Sequence, residues 1–235
     1  RRQWRELCKM IQRELLDTAA IPGGGELRLF RRELKGADEY SIMLGRIELM
    51  NSRLSGSEEA LATLACNRLG VKNPRILIGG YGMGFTLRAA LSVLPPQAHV
   101  EVVELIPAIV KWARGPMADL SQKCLDDSRV TITNGDVCDV ISKADREYDA
   151  ILLDVDNGPD GLTHEANDRL YSIAGLASAK KALRSNGILA IWSSEGDSRF
   201  TARLHKSGFA VDVNSVPARS NGKGAKHTIW LASNR

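Results

Sequence analysis

The chain has 235 residues, 43% of them apolar and 26% charged, a balance that suits one large folded domain with an appendage and excludes a disordered or low-complexity chain. Its formal charge of +4 is small and the 32 Lys and Arg are spread along the sequence, so no basic stripe points to nucleic acid. Cys8, Cys66, Cys124 and Cys138 lie far apart with no C-x-x-C pair, which argues against a zinc site or a disulfide framework and makes reduced thiols in a cytoplasmic protein the simplest expectation.

Residues 2–19 place Trp4, Leu7, Cys8, Ile11 and Leu15 at helical spacing, which predicts an amphipathic helix. Neither this stretch nor any other reaches the roughly 18 apolar residues that span a bilayer, and no signal-peptide pattern precedes it. A soluble chain with no membrane partner is expected. "IPGGG" then breaks the pattern, and "ELRLFRREL", "EYSIMLG" and "RIELMNS" alternate as short antiparallel strands do. Residues 1–55 are thus expected to form a helix and a small β appendage.

Residues 56–235 change texture. A helix capped by Ser57 and stopped by Gly70 is expected first. The strand candidates "RILIGG", "HVEVVEL", "RVTITNGD", "YDAILLDVD" and "GILAIWSS" then alternate with helical stretches near 84–93, 107–114, 137–144 and 166–184. Such alternation predicts an α/β fold with a doubly wound, mainly parallel sheet. "GFAVDVNSVPA" and "HTIWLAS" are separated by a Gly- and Lys-containing turn, so a terminal antiparallel pair completes seven strands.

In an open α/β sheet the ligand lies outside the carboxyl ends of the strands. The first such turn is Gly80-Tyr81-Gly82-Met83-Gly84, where glycines permit positive φ and let a ligand lie against bare peptide groups. A dinucleotide fingerprint would need glycine where Phe85 stands, and a P-loop would need Gly-Lys-Ser/Thr; the spacing instead resembles the first motif of class I AdoMet-dependent enzymes. Glu104 ends the next strand, followed by Leu105, where a carboxylate can accept from two ribose hydroxyls. Asp136 and Val137 follow the third strand. Asp136 either accepts from an exocyclic adenine amine or caps the next helix.

The fourth strand ends in "LLDVDNGPDG", with Asp154 and Asp156 at the carboxyl edge. A cationic amine would be held there, and a carboxylate of suitable pKa could take its proton. Through "ILIGGYGMGFTLRAAL", "VEVVELIPAIVKWAR", "ITNGDV" and "YDAILLDVDNGP" the sequence resembles the spermidine synthase (polyamine aminopropyltransferase) family over residues 74–195. The resemblance implies a class I AdoMet-methyltransferase type fold, decarboxylated AdoMet or AdoMet as donor, an amine acceptor of polyamine type and no metal. It also implies that Asp154 matches the catalytic Asp and Glu104 the ribose-binding acid. Asp156 would be an electrostatic clamp for the amine. Met83 stands where the family's glycine loop carries an Asp for the donor's amine, and Glu58 and Glu59 are loose counterparts of the residues before that loop.

Methyl transfer from intact AdoMet remains an alternative, with Arg88 or the Tyr81 region to meet the donor's carboxylate. A non-catalytic nucleoside-binding protein is a further one. Tyr171 and Ser172 either line the acceptor side or pack, His164 is a loop histidine or a base, and Trp192 and Ser193 close the fifth strand. Residues 219–227 read as a solvated hairpin tip or a mobile lid, and a homodimer is left open.

Overall fold

The computed structural model describes residues 13–22, 24–34, 36–155 and 169–235. They divide into two compact units, with the division between Leu54 and Ser55.

The first unit contains an antiparallel sheet of β1 (Glu14–Ala20), β2 (Glu26–Leu34), β3 (Ala37–Leu44) and β4 (Ile47–Asn51), in that order. Alternation fixes its register: Leu27 and Leu29 on β2 are buried, Leu29 lies opposite the equally buried Ile42 of β3, and Arg28 between them faces the other way. The expectation of a helix over residues 2–19 is corrected at its C-terminal end, because Glu14–Ala20 pairs with β2. Arg31 meets Glu14 across that pair at 2.7 Å. Leu15, counted above in a helical stripe, is 49% exposed. A neighbouring strand with free N–H and C=O groups outweighs a weak helical preference. Trp4, Leu7, Cys8 and Ile11 lie outside the described residues.

The second unit is a seven-stranded sheet. Its strands are β5 (Arg75–Gly79), β6 (His99–Glu104), β7 (Val130–Asn134), β8 (Tyr148–Leu153), β9 (Leu183–Ser193), β10 (Ala210–Pro217) and β11 (Lys226–Ser233), in the order β10-β11-β9-β8-β5-β6-β7. β7, β6, β5, β8 and β9 run parallel, whereas β11 is antiparallel to both β9 and β10. The order reverses at β5, which lies between β6 and β8, and the cleft outside its carboxyl end is where such a sheet binds ligands. Ile76–Ile78 on β5 and Ala150–Leu153 on β8 are buried throughout; covered on both faces, they read as unbroken apolar runs.

The helices of this unit are α1 (Gly56–Cys66), α2 (Phe85–Val93), α3 (Pro107–Arg114), α4 (Val137–Lys143), α5 (Ile173–Ala182) and α6 (Ser198–Lys206). Three details differ from the sequence reading. α1 is flanked by Ser55 and Asn67 rather than Ser57 and Gly70, and Ser57 lies inside its first turn with its hydroxyl engaged elsewhere. The helix expected over 166–184 ends at Ala182, because Leu183 already pairs with Tyr148. α6 was not anticipated: only Phe200 and Leu204 form its apolar face, four residues apart, and both are fully buried. Asp197 caps it by accepting from the Arg199 amide at 2.7 Å.

Candidate active site

The turn after β5 is built around three left-handed glycines. Gly80, Gly82 and Gly84 have φ of +83°, +56° and +82°, values that a side chain on Cα disfavours. Space closes the same argument, since a Cβ on Gly80 would sit 2.7 Å from the Asp154 carbonyl oxygen and one on Gly84 2.5 Å from the Tyr81 hydroxyl. The turn is tied to both neighbouring strands: the Gly80 amide donates to Val103 at 2.9 Å, and the Asp154 amide donates to Gly79 at 3.1 Å. Tyr81 and Met83 turn their side chains into the interior, where each is at most 3% exposed. The phenol of Tyr81 donates to Ser121 Oγ at 2.9 Å, and burial raises its pKa above the ordinary value. Only the backbone of these two residues is left for a ligand in the turn.

Glu104 ends β6 beside this turn and is 6% exposed. Its Oε2 accepts from the Tyr81 amide and its Oε1 from the Ile106 amide, both at 2.8 Å. Burial pushes this carboxyl up, while the amides of Ile106, Tyr81, Leu105 and Gly82 pull it back. A carboxylate anchored by backbone amides thus stands at the switch point. Leu105 follows it and is 47% exposed.

At the end of β7, the Asn134 side chain and the Gly135 amide both donate to the Glu104 carbonyl at 3.0 Å. Asp136 is the cap of α4, accepting from the Cys138 amide at 2.8 Å, and its other oxygen meets Arg169 at 3.1 Å. Its capping role is therefore realised. Val137 packs on the start of the glycine turn, lying 3.0 Å from where a Cβ on Gly79 would be.

Asp154 sits at the end of β8. Its Oδ2 accepts from Thr86 Oγ1 at 2.7 Å, and Thr86 lies in the first turn of α2, two residues beyond Gly84. Burial raises the Asp154 carboxyl from 3.8 to about 6, with the Thr86 hydrogen bond opposing the shift. Glu58, in the first turn of α1, is pushed well above the ordinary value, first by burial and then by the negative charges of Asp154 and Glu59, with Arg88 acting against them. The two carboxyls thus lie within electrostatic reach of each other, and the charge on Asp154 disfavours ionisation of Glu58. Glu59 is instead paired with Arg88 at 2.6 Å, and Arg88 also donates to the Leu120 carbonyl at 2.9 Å and stacks over Phe85.

A family model described as the spermine/spermidine synthase domain matches residues 56–201, more than half of the chain. The chain belongs to the spermine/spermidine synthase family. It is similar to the polyamine aminopropyltransferase of Sulfolobus acidocaldarius, 30% identical over 112 residues that cover 48% of this chain and 36% of that relative. To polyamine aminopropyltransferase 2 of Hyperthermus butylicus it is 25% identical over 186 residues, 79% of this chain and 59% of that protein. The chain thus spans between about a third and three-fifths of the length of these two curated relatives. Among solved structures, the spermidine synthase of Thermotoga maritima matches with a TM-score of 0.73 at 17% identity, covering 94% of this chain and 72% of that one. A spermidine synthase solved with the transition-state analogue AdoDATO matches with a TM-score of 0.72 at 18% identity over the same shares. These likenesses establish the fold that the spermidine synthases share with the methyltransferases.

Within this spermidine synthase framework the other sequence candidates fall into place. Asp156 and His164 lie outside the described residues. Tyr171 is buried with its ring edge on Phe200, and Ser172 caps α5 by accepting from the Gly175 amide at 3.0 Å. The Trp192 indole donates to Ser57 Oγ at 2.9 Å. The stretch 219–227 leads into β11, and its start packs on α1, where the Gly56 amide donates to Ala218 at 3.0 Å. Sequence reasoning missed Thr86 and gave Glu58 no definite place. The available signal was the position of each in the first turn of a helix whose start faces the strand ends. Among the described residues no helix is long and apolar enough to cross a membrane.

Proposed function

We propose that this protein is an aminopropyltransferase that takes decarboxylated AdoMet as donor and an amine of polyamine type as acceptor. The observation that carries the reading is the pair of half-buried carboxyls, Asp154 and Glu58, beside a glycine turn that abuts the Asp154 backbone. Glu104 and the side-chain-free backbone of the Gly80–Gly84 turn would border the adenosine, with the Glu104 carboxylate accepting from the ribose hydroxyls. The positive φ of Gly80, Gly82 and Gly84 keeps side chains off the turn, which suits close approach of such a ligand to its backbone.

The donor supplies a carbon next to sulfonium, already activated toward attack. What the chain adds is placement, proton removal and exclusion of water. As the acceptor nitrogen forms the C–N bond, the C–S electron pair leaves with sulfur and the ammonium proton passes to the Asp154 carboxylate. A base with pKa about 6 is ionised at neutral pH yet basic enough to accept. Asp156 is proposed as a further clamp on the amine.

The same charge pattern favours a donor without a carboxylate. Arg88 and the Tyr81 phenol, the candidates for meeting a methionyl carboxylate, are engaged with Glu59, Leu120 and Ser121. The Asp154 carboxylate at the strand end suits a cationic aminopropyl end better than an anionic methionyl one. The test is incubation with labelled decarboxylated AdoMet or AdoMet and a panel of polyamines. Label appearing in the amine from the decarboxylated donor alone is expected. Methyl transfer from AdoMet, or tight donor binding without any transfer, would refute the assignment.

A further inference from the structure

Three side chains meet behind the first turn of α1. Ser57 Oγ lies 2.8 Å from His227 Nδ1 on β11 and accepts the Trp192 indole N–H of β9 at 2.9 Å. The Trp192 and His227 rings meet edge to face with centroids 4.9 Å apart. Ser57 is 1% exposed, so water does not complete its hydrogen bonding. An indole N–H can only donate, so Ser57 Oγ is the acceptor there. Among the described residues its own proton then has one partner at hand, the lone pair of His227 Nδ1; an Nδ1–H pointing at Ser57 would strand the hydroxyl proton in a dry site. That fixes His227 as a neutral ring protonated at Nε2.

The surroundings agree with a neutral ring. Ser57 lies in the first turn of an 11-residue helix, whose positive end disfavours an imidazolium. The elements that meet at the ring carry charges of both signs: Glu58 and Glu59 on α1, Lys226 preceding His227 on β11, Arg219 in the hairpin segment packed on Gly56, and Glu195 following β9. Val216 of β10 lies opposite His227. Burial depresses the ring's pKa below the ordinary value.

We propose that His227 is a positioning residue: by accepting the Ser57 proton in its neutral form it fixes the first turn of α1, and with it Glu58, against the acidic strand end at Asp154. The link is short, since Glu58 follows Ser57 and its carbonyl oxygen lies 3.4 Å from Thr86 Oγ1, the donor to Asp154. Protonation of His227 turns an acceptor into a donor and leaves the buried hydroxyl proton without a partner, which loosens that turn. Use of this rim by an amine rests on the aminopropyl-transfer reading; the positioning itself does not.

The experiment is nitrogen-15 and carboxyl-carbon NMR on the whole chain, with His227→Asn and His227→Leu. In the wild type the ring should show bare Nδ1 and protonated Nε2, with a midpoint below about 6.5. The amide oxygen of His227→Asn can accept the Ser57 proton, so Asp154 and Glu58 should titrate as in the wild type. His227→Leu offers no acceptor and should displace both midpoints by about half a unit or more. In transfer assays it should also raise the acceptor KM about tenfold, with His227→Asn near the wild type. If His227→Leu does not fold, Ser57→Ala removes the same bonds with little change in volume and should move the same midpoints. An Nδ1–H tautomer, or unmoved carboxyl midpoints in a folded His227→Leu or Ser57→Ala protein, overturns the proposal. A wild type that transfers nothing to any amine would refute the function reading, while the ring and carboxyl titrations would still decide this one.

Discussion

Glu104 and Asp154 end strands on either side of β5, and the two carboxyls are built for different work. Glu104 is held by two backbone amides at 2.8 Å, with further amides of the turn pulling against burial. Among the described residues Asp154 accepts from one hydroxyl, Thr86, and its charge acts on the carboxyl of Glu58. An anchored anion with many fixed donors suits gripping hydroxyls, whereas a poorly solvated one with few donors suits handling a proton. The same residue class thus meets two environments, set by the number of donor groups aimed at it.

The largest expected effect separates these roles. Asp154→Asn should lower turnover by about two to four orders of magnitude, the span of acid–base groups, while calorimetry finds donor affinity nearly unchanged. Survival of turnover would leave the proton to another group. Glu104→Gln should do the converse, weakening donor binding by about 10- to 100-fold through loss of charged acceptor oxygens, with a smaller change in turnover at saturation.

Stability provides the next contrast. The folded protein holds the Asp154 proton more tightly than the unfolded chain does, because the carboxyl titrates at about 6 rather than 3.8. The ionised form therefore costs stability above pH 6, and that cost fades as pH falls toward 4. Asp154→Asn should accordingly melt higher than the wild type at pH 7.5, by roughly 1–3 kcal/mol at the upper limit, and converge with it near pH 4. A parallel offset at both pH values would contradict the assignment. Gly80→Ala should cost about 1–3 kcal/mol from its left-handed backbone alone, and more through the Asp154 carbonyl 2.7 Å from the added carbon; thermal unfolding measures it.

The smallest effect is the sharpest on mechanism. Thr86→Val removes the bond that opposes the rise of the Asp154 carboxyl. The acid limb of the turnover profile should then move to higher pH by less than about one unit. A shift to lower pH would mean that Thr86 does not donate to the ionised carboxylate.

Much of the site was legible because its signals are local. The glycines at 80, 82 and 84 mark a turn that only positive φ allows, and the apolar runs on either side announce a sheet covered on both faces. Glu104 was visible as the acid that ends the following strand. Thr86 and Glu58 were not, because each matters through Asp154, 68 and 96 positions away along the chain, the first by a hydrogen bond and the second by charge. Ser57 shows the opposite failure: its type and place suggested a helix cap, yet its hydroxyl bonds to residues of β9 and β11.

The sequence by itself determined the alternation of strands and helices, the bend after β5 and the acids at the strand ends, since these follow from periodicity and from what a Cβ forbids. Tertiary structure alone decided that Glu14–Ala20 is a strand, that Glu59 is neutralised by Arg88 while Glu58 is not, and that Asp154 titrates near neutrality. Those outcomes depend on pairing partners, burial and the distance between charges, and these exist only once remote segments have been brought together.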